Sequence, residues 1–435
     1  MLSLLLTVSC TVSDEDNGAN ATVRVIKTKR AISKGTVLAA GDIDIVVVED
    51  VGLPEGYIKS SSDAIGRKLL SAVEEGTVLT AKHLSTDVYT ENGEKADLTV
   101  SEARALGYVV VTDYINDMSG RDLSTDIQKI IDQNPNSTIY FPDGVYTLAK
   151  TIKTSSDRTK SVALHLSANA VIKAADFWVG GWYLIQIGIL DKDFGMDGTG
   201  TNYYMYGGII DCNGTASGIE ISAGREFSLR NVTIKNAQCG LHIAYNAEYG
   251  SNDSDTEWLN IEGNGKPGSV GVVVDGFDNT LSNVRISGFE TGMSLSRPGT
   301  LMHNIHVINT LSEEIDYENT QGFSDTGGGN WYDGCRADNF RTAFYTTGSS
   351  LSVYNGCTAF WSESCGRQYA FESNGGINIT VTEVRAIFVA GEDNALLVTA
   401  GNGGKGIIKN PIFNEKLTNN DTYKRYLVGN VMPIN

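Results

Sequence analysis

Arg285, His306 and Arg336 occupy the same place in three successive copies of a short phrase, Asn283-Val-Arg-Ile, Asn304-Ile-His-Val and Gly334-Cys-Arg-Ala. If the copies are rungs of one ladder, these side chains stack ~4.8 Å apart on one outer face. Stacked cations repel unless an anion lies against them, so the file suits carboxylate or sulfate groups. Glu262, Glu290 and Asp338 offer the plainer account, in which surface acids neutralise the stripe. For acid–base work, Asp275, Ser296 and Glu318 align in a second outward file. Asp275 and Glu318 would then stand two rungs apart, ~9–10 Å between backbones. That is near the upper end of the separation with which an inverting glycosidase fits a water between its acid and base. Asp316, two residues before Glu318, would raise the pKa of a neighbouring acid. A solvated acidic face is the competing explanation. Elimination is the other chemistry, with Arg336 or His306 near the proton beside a uronate carboxyl. Trp331 and Trp361 read as turn or outward residues, able to stack on sugar rings or to cover a subunit contact. His242 and His303 read as ordinary surface or turn residues.

Such files require a scaffold that holds strands in vertical register. From Asn231 to Glu383 the phrase returns in steps of roughly 25 residues, with further copies at Trp258 and Gly356. Each copy is a period-2 strand with one apolar face, and a second short strand follows, as in Gly240-Leu-His-Ile, Gly271-Val-Val-Val, Gly292-Met-Ser-Leu and Glu314-Ile-Asp-Tyr. One such unit cannot bury its apolar face alone, whereas stacked units can. Turns rich in Gly, Asn, Asp and Ser supply the corner conformations. The pattern predicts a parallel β-helix of about ten coils over residues 123–410, ending near Asn410-Pro411. A β-sandwich would demand hairpin signals that are scarce here. Ser124 to Gln133 reads as an amphipathic helix with Ser124 as its cap, laid over the open end of the solenoid. Thr99 to Leu106 reads as a short helix and Tyr108 to Thr112 as a strand.

Composition narrows the classes. The chain has 435 residues, 48 glycines and 7 prolines, which suits many tight corners. A net charge of −18 argues against a nucleic-acid partner. Six cysteines show no CxxC pairing, so zinc is not expected; Cys335 and Cys357 fall inward, one coil apart, as small buried residues. Met1 to Val12 reads either as the apolar part of a secretion signal, with Cys10 as a lipidation candidate, or as an N-terminal strand. It is too short to span a bilayer. Residues 14–20 read as a linker.

Two resemblances refine this picture. Ala31-Ile-Ser-Lys-Gly-Thr-Val-Leu-Ala-Ala-Gly-Asp-Ile43 is echoed by Ala72-Val-Glu-Glu-Gly-Thr-Val-Leu-Thr-Ala-Lys-His-Leu84, and residues 22–86 resemble the SAF domain. That implies a compact β-clip module that binds sugars or docks to another protein assembly, and no chemistry. Val111-Thr-Asp-Tyr, Asp126-Ile-Gln-Lys-Ile-Ile and Ile139-Tyr-Phe-Pro-Asp-Gly-Val-Tyr resemble the opening of pectate-lyase-like proteins, and Tyr206-Gly-Gly-Ile-Ile-Asp-Cys-Asn-Gly214 is similar to a phrase some of them carry. The implied fold is all-β: a right-handed parallel β-helix behind the SAF-like domain, with a neck at residues 87–122 and a tail at 411–435. Taken with the Arg/His file, the expected function is a glycoside hydrolase or polysaccharide lyase acting on an anionic glycan, outside the cell, on its surface or on a virion. The alternative is a tailspike or receptor-binding spike. Spikes of this superfamily are often homotrimers. No cofactor is expected, calcium entering only for a lyase. The catalytic motifs of polygalacturonases and mannuronan epimerases are missing, so fold transfers and reaction does not.

Overall fold

The computed structural model describes residues 22–434 apart from 60, 62–63, 66, 89–97, 119, 155–159, 189–203, 223–225, 246–250, 348–350, 364–365, 375–378, 390–393, 401–405, 410–411, 415–426 and 429–431. The Met1 to Val12 reading, Cys10 and Cys365 lie outside the described residues. The chain divides into two compact units, Met1–Leu98 and Thr99–Asn435.

The first unit is built on an approximate two-fold axis between its two sequence copies. Ile32 and Val73, equivalent in the copies, exchange both backbone hydrogen bonds with each other at 2.9 and 3.0 Å. Gly35 N–H donates to Leu69 O and Gly76 N–H to Thr28 O, both at 2.8 Å. Gly35 and Gly76 have φ of 87° and 76°, the left-handed corner that favours glycine. Strands Thr22–Thr28 and Ile43–Glu49 pair antiparallel, as do Arg67–Leu69 and Leu84–Val88. Ile26, Ile32, Leu38, Leu69, Val73 and Leu79 form its core.

The second unit is a parallel β-helix. Its strands form three parallel walls of thirteen, twelve and ten strands. Each coil visits the thirteen-, then the twelve-, then the ten-stranded wall. The recurrent phrase marks the corner between the first two. Its leading residue is left-handed in every copy: Asn231, Trp258, Asn283, Asn304, Gly334, Gly356 and Glu383 have φ between 52° and 61°. Asparagine and glycine visit that region at least cost, which is why they dominate the phrase.

The glycine that opens the second strand has a different cause. Gly218, Gly240, Gly271, Gly292 and Gly322 form an inner file, and a Cβ there would strike Ile234, Ile261, Ile286, Val307 and Ala337 respectively. The chain must turn inside the reach of the twelve-stranded wall's core residues, so no side chain fits.

Volume is conserved up the core. Where the ten-stranded wall carries Phe323, Phe344 and Phe371, stacked with ring centroids 5.0 Å apart, the thirteen-stranded wall adds Tyr332 and Tyr354 at 4.4 Å. At those levels the twelve-stranded wall shrinks to Ala337, Ala359 and Ala386. Small residues opposite large ones keep the interior close-packed.

Several expectations need correction. Ser124 is the first helical residue, not the cap; Leu123 is the cap position, and Asp122 Oδ1 accepts from both Ser124 N–H (2.9 Å) and Ser124 Oγ–H (2.5 Å). The helix does close the solenoid, burying Ile127, Ile130 and Ile131. Only Val109–Val110 of the expected Tyr108–Thr112 strand pairs, because a 3-10 turn follows at Val111–Asp113. The coil pattern does not stop at Asn410-Pro411: Ile412–Asn414 and Met432–Ile434 extend the twelve-stranded wall, and Leu427–Val428 the thirteen-stranded one. Glu314-Ile-Asp-Tyr is not a strand. That coil makes a longer excursion, with a 3-10 turn at Tyr317–Asn319, and its strand on the ten-stranded wall is Gln321–Asp325.

Candidate active site

The outward residues of the ten-stranded wall fall into files set by its register. Gln186, Glu220 and His242 share one file, and Asp275 and Ser296 share another two residues further along the strands. His242 stands between two carboxylates. Its Nε2 lies 2.8 Å from Asp275 Oδ2, and its Nδ1 lies 3.5 Å from Glu220 Oε2 and 3.0 Å from Tyr183 Oη. Glu220 also accepts from Gln186 Nε2 (2.8 Å) and from Ser222 Oγ, and Asp275 from Ser296 Oγ (2.6 Å).

Burial opposes ionisation throughout this cluster, and the partners reverse it for three groups. Burial penalises the charged ring of His242, but hydrogen bonds and charge from Asp275 and Glu220 outweigh that and raise it to about 9. Burial alone would raise Glu220, yet bonds from His242, Ser222 and Gln186 bring its carboxyl below the usual range. Asp275 is lowered likewise by His242, Ser296 and the Arg297 charge, against its burial. Burial, with Cys239, Glu220 and Asp275 nearby, pushes the Tyr183 phenol up. At neutral pH the site is therefore a carboxylate–imidazolium–carboxylate row beside a protonated phenol.

Beside it, the loop before Tyr183 exposes Phe177, Val179 and Trp182, the last 81 % accessible. Trp178, Trp182, Thr215, Ser217 and Gln238 line a shallow cavity of about 320 Å³.

The sequence-predicted residues divide among several places. Asp275 belongs to this cluster. Glu318 does not share its file, which runs Asp275, Ser296, Thr326; Glu318 sits in the 3-10 turn, 3.5 Å from Arg341 Nε. Asp316 caps that turn, accepting from Glu318 N–H at 3.1 Å. Trp361 is a core residue, 2 % exposed, stacked on Phe388 at 4.9 Å and donating its indole N–H to Phe340 O at 2.6 Å. Tyr332 is buried too, while Trp331 stays half exposed on the thirteen-stranded wall. Cys335 and Cys357 are buried and unbridged.

Arg285, His306 and Arg336 are consecutive partners on the twelve-stranded wall. The stripe is real, and it stands on a different wall from Asp275. Asp338, one of the acids suspected of neutralising it, accepts from Arg336 Nε (2.7 Å) and Nη2 (2.8 Å) and lies 2.9 Å from His306 Nε2.

Sequence reading missed Glu220, His242 and Tyr183. Gly218-Ile-Glu-Ile and Gly240-Leu-His-Ile carry the signal: aligned on their glycines, they place Glu220 directly beneath His242. Among the described residues no group of three or more His, Cys, Asp or Glu is arranged to hold a metal ion, and no helix is long and apolar enough to cross a membrane.

Comparison with known proteins agrees with this architecture. The SAF domain family matches residues 23–85. A double mutant of the tailspike protein of E. coli bacteriophage HK620 is similar over 77 % of this chain and 66 % of its own, with 13 % identity and a TM-score of 0.57. The same tailspike in complex with a pentasaccharide is similar over 72 % and 67 %, with 12 % identity and a TM-score of 0.51. PfbA, a surface adhesin of Streptococcus pneumoniae, is similar over 75 % and 91 %, with 14 % identity and a TM-score of 0.47. No curated protein sequence matches the chain. The chain is thus a parallel β-helix protein carrying a SAF domain at residues 23–85.

Proposed function

We propose that this protein cleaves the glycosidic bonds of a polysaccharide on its ten-stranded wall, outside the cell. The reading is carried by one observation: His242 sits between Asp275 and Glu220, 2.8 Å from the first and 3.5 Å from the second. In this reaction the His242 proton passes to the leaving glycosidic oxygen as the C–O bond breaks. Water then adds at the anomeric carbon and returns its proton to the now neutral His242, while Asp275, 2.8 Å from Nε2, orients the ring. Glu220 and Tyr183 hold the ring in place. The tailspike solved with a pentasaccharide supports a sugar polymer as the ligand class by likeness of fold alone.

A second reading is favoured by the same cluster. Both carboxylates are already ionised and committed to His242, which would suit a spike that grips its glycan without turning it over. Incubation with a panel of acidic and neutral polysaccharides separates the two. New reducing ends without unsaturated uronate absorbance support hydrolysis; uronate absorbance would indicate elimination; binding without product would leave the spike.

A further inference from the structure

A different place on the solenoid also suits a sugar. At the corner between the thirteen- and twelve-stranded walls lies a groove of about 370 Å³. Among its lining residues are Asn231, Trp258, Asn260, Asn283, Arg285 and Asn304. Trp258 takes the left-handed corner position that asparagine or glycine holds in most neighbouring coils, and it is 53 % exposed. An indole at a position suited to a small polar residue costs conformational energy, and more than half of it is left in water. Its flat apolar face lies among carboxamides that can both donate and accept.

The charge at this groove follows from a hydrogen-bond chain. Arg285 Nη1 can only donate, so at 2.7 Å it makes His306 Nδ1 an acceptor. The ring N–H then lies on Nε2 and is donated to Asp338 Oδ2, while Arg336 holds the same carboxylate through two nitrogens. Of the two guanidinium groups, only Arg336 meets the carboxylate, while Arg285 reaches no farther than His306. One positive charge is left over, on exposed Arg285 at the lip of the groove.

We propose that this corner groove is a second glycan site, separate from the ten-stranded wall, that binds a sugar unit bearing a carboxylate or sulfate. Trp258 stacks under the ring, Arg285 takes the anion, and Asn283 and Asn304 meet the hydroxyls. The site binds without cleaving. It shares with the reading above only that the ligand is a polysaccharide.

The test is calorimetric titration of the full chain with polygalacturonate oligomers, a sulfated polysaccharide and neutral dextran. Acidic ligands should bind, with affinity falling as salt rises, and dextran should not. Arg285→Ala should weaken acidic binding at least tenfold. Trp258→Asn, which keeps a residue tolerant of the left-handed corner, should weaken it similarly without changing the circular dichroism spectrum. Asp338→Asn removes the compensating charge and should tighten it. Unchanged binding in Arg285→Ala, weaker binding in Asp338→Asn with an unaltered fold, or no binding of any acidic polymer would each overturn the proposal. His242→Gln separates the two sites: it should slow product release by ~10²–10⁴ and leave this binding intact, so either reading can fail alone.

Discussion

His242 and Asp275 come from successive rungs of the ten-stranded wall, with Nε2 and Oδ2 2.8 Å apart; against burial, this contact and that with Glu220 raise His242 to about 9. His242→Gln keeps a hydrogen-bonding shape and loses the charge. It should lower kcat by ~10²–10⁴ if His242 is the proton donor. Stability should fall by about 1–3 kcal/mol, since Asp275 and Glu220 lose their charged partner. Rates of reducing-end release and denaturant titration measure the two effects.

The pH dependence follows from signs. The His242 value is raised from 6.5 to about 9, so its stabilisation is whole below 6.5 and lost as pH climbs through about 9. Glu220 and Asp275 are lowered, so theirs is present above the ordinary values of 4.5 and 3.8 and lost as pH falls through the depressed ones. The melting temperature should decline between pH 7 and 10 in the native protein. In His242→Gln that slope should flatten, and an unchanged slope would assign it to other groups.

The aromatic loop beside the cluster has its own signature. Trp182 is almost wholly exposed and directly precedes Tyr183, whose hydroxyl meets His242. Trp182→Ala should raise KM with kcat nearly constant, the pattern of lost uniform binding. A drop in kcat at unchanged KM would contradict a stacking role.

The inner glycine file should be intolerant. Gly271→Ala brings a Cβ into Ile286 and the Gly292 carbonyl and should destabilise by about 1–3 kcal/mol. At the outer corner the direction reverses. Glu383 has φ of 55°, so Glu383→Gly should relieve ~1–2 kcal/mol of left-handed strain. Thermal melts of the two variants should move in opposite directions.

The solenoid was legible because its two rules are local. The left-handed corner selects Asn or Gly, and inward alternation selects Val, Ile and Leu, so Asn231, Asn283 and Asn304 announce their rungs. The Arg285–His306–Arg336 file followed from that register. Glu318 was misplaced because the chain between Ile308 and Gln321 makes an excursion of a length that strand periodicity does not encode. Trp361 was misread because a large aromatic just past a strand's end can face either way, and here it turns inward to stack on Phe388 and donate to Phe340 O. The His242 cluster depends on three rungs at once, and single residues such as Glu220 look ordinary without their partners above and below.

The repeating corner also makes the solenoid modular. Excising one complete rung between Asn283 and Gly334 would leave both flanking corners compatible, since each begins in the same backbone state. Sites on the same face would then draw closer by one strand spacing, ~4.8 Å, with their side chains still pointing the same way. Length along this axis is therefore adjustable in whole steps, a form of evolutionary freedom that a globular core does not offer.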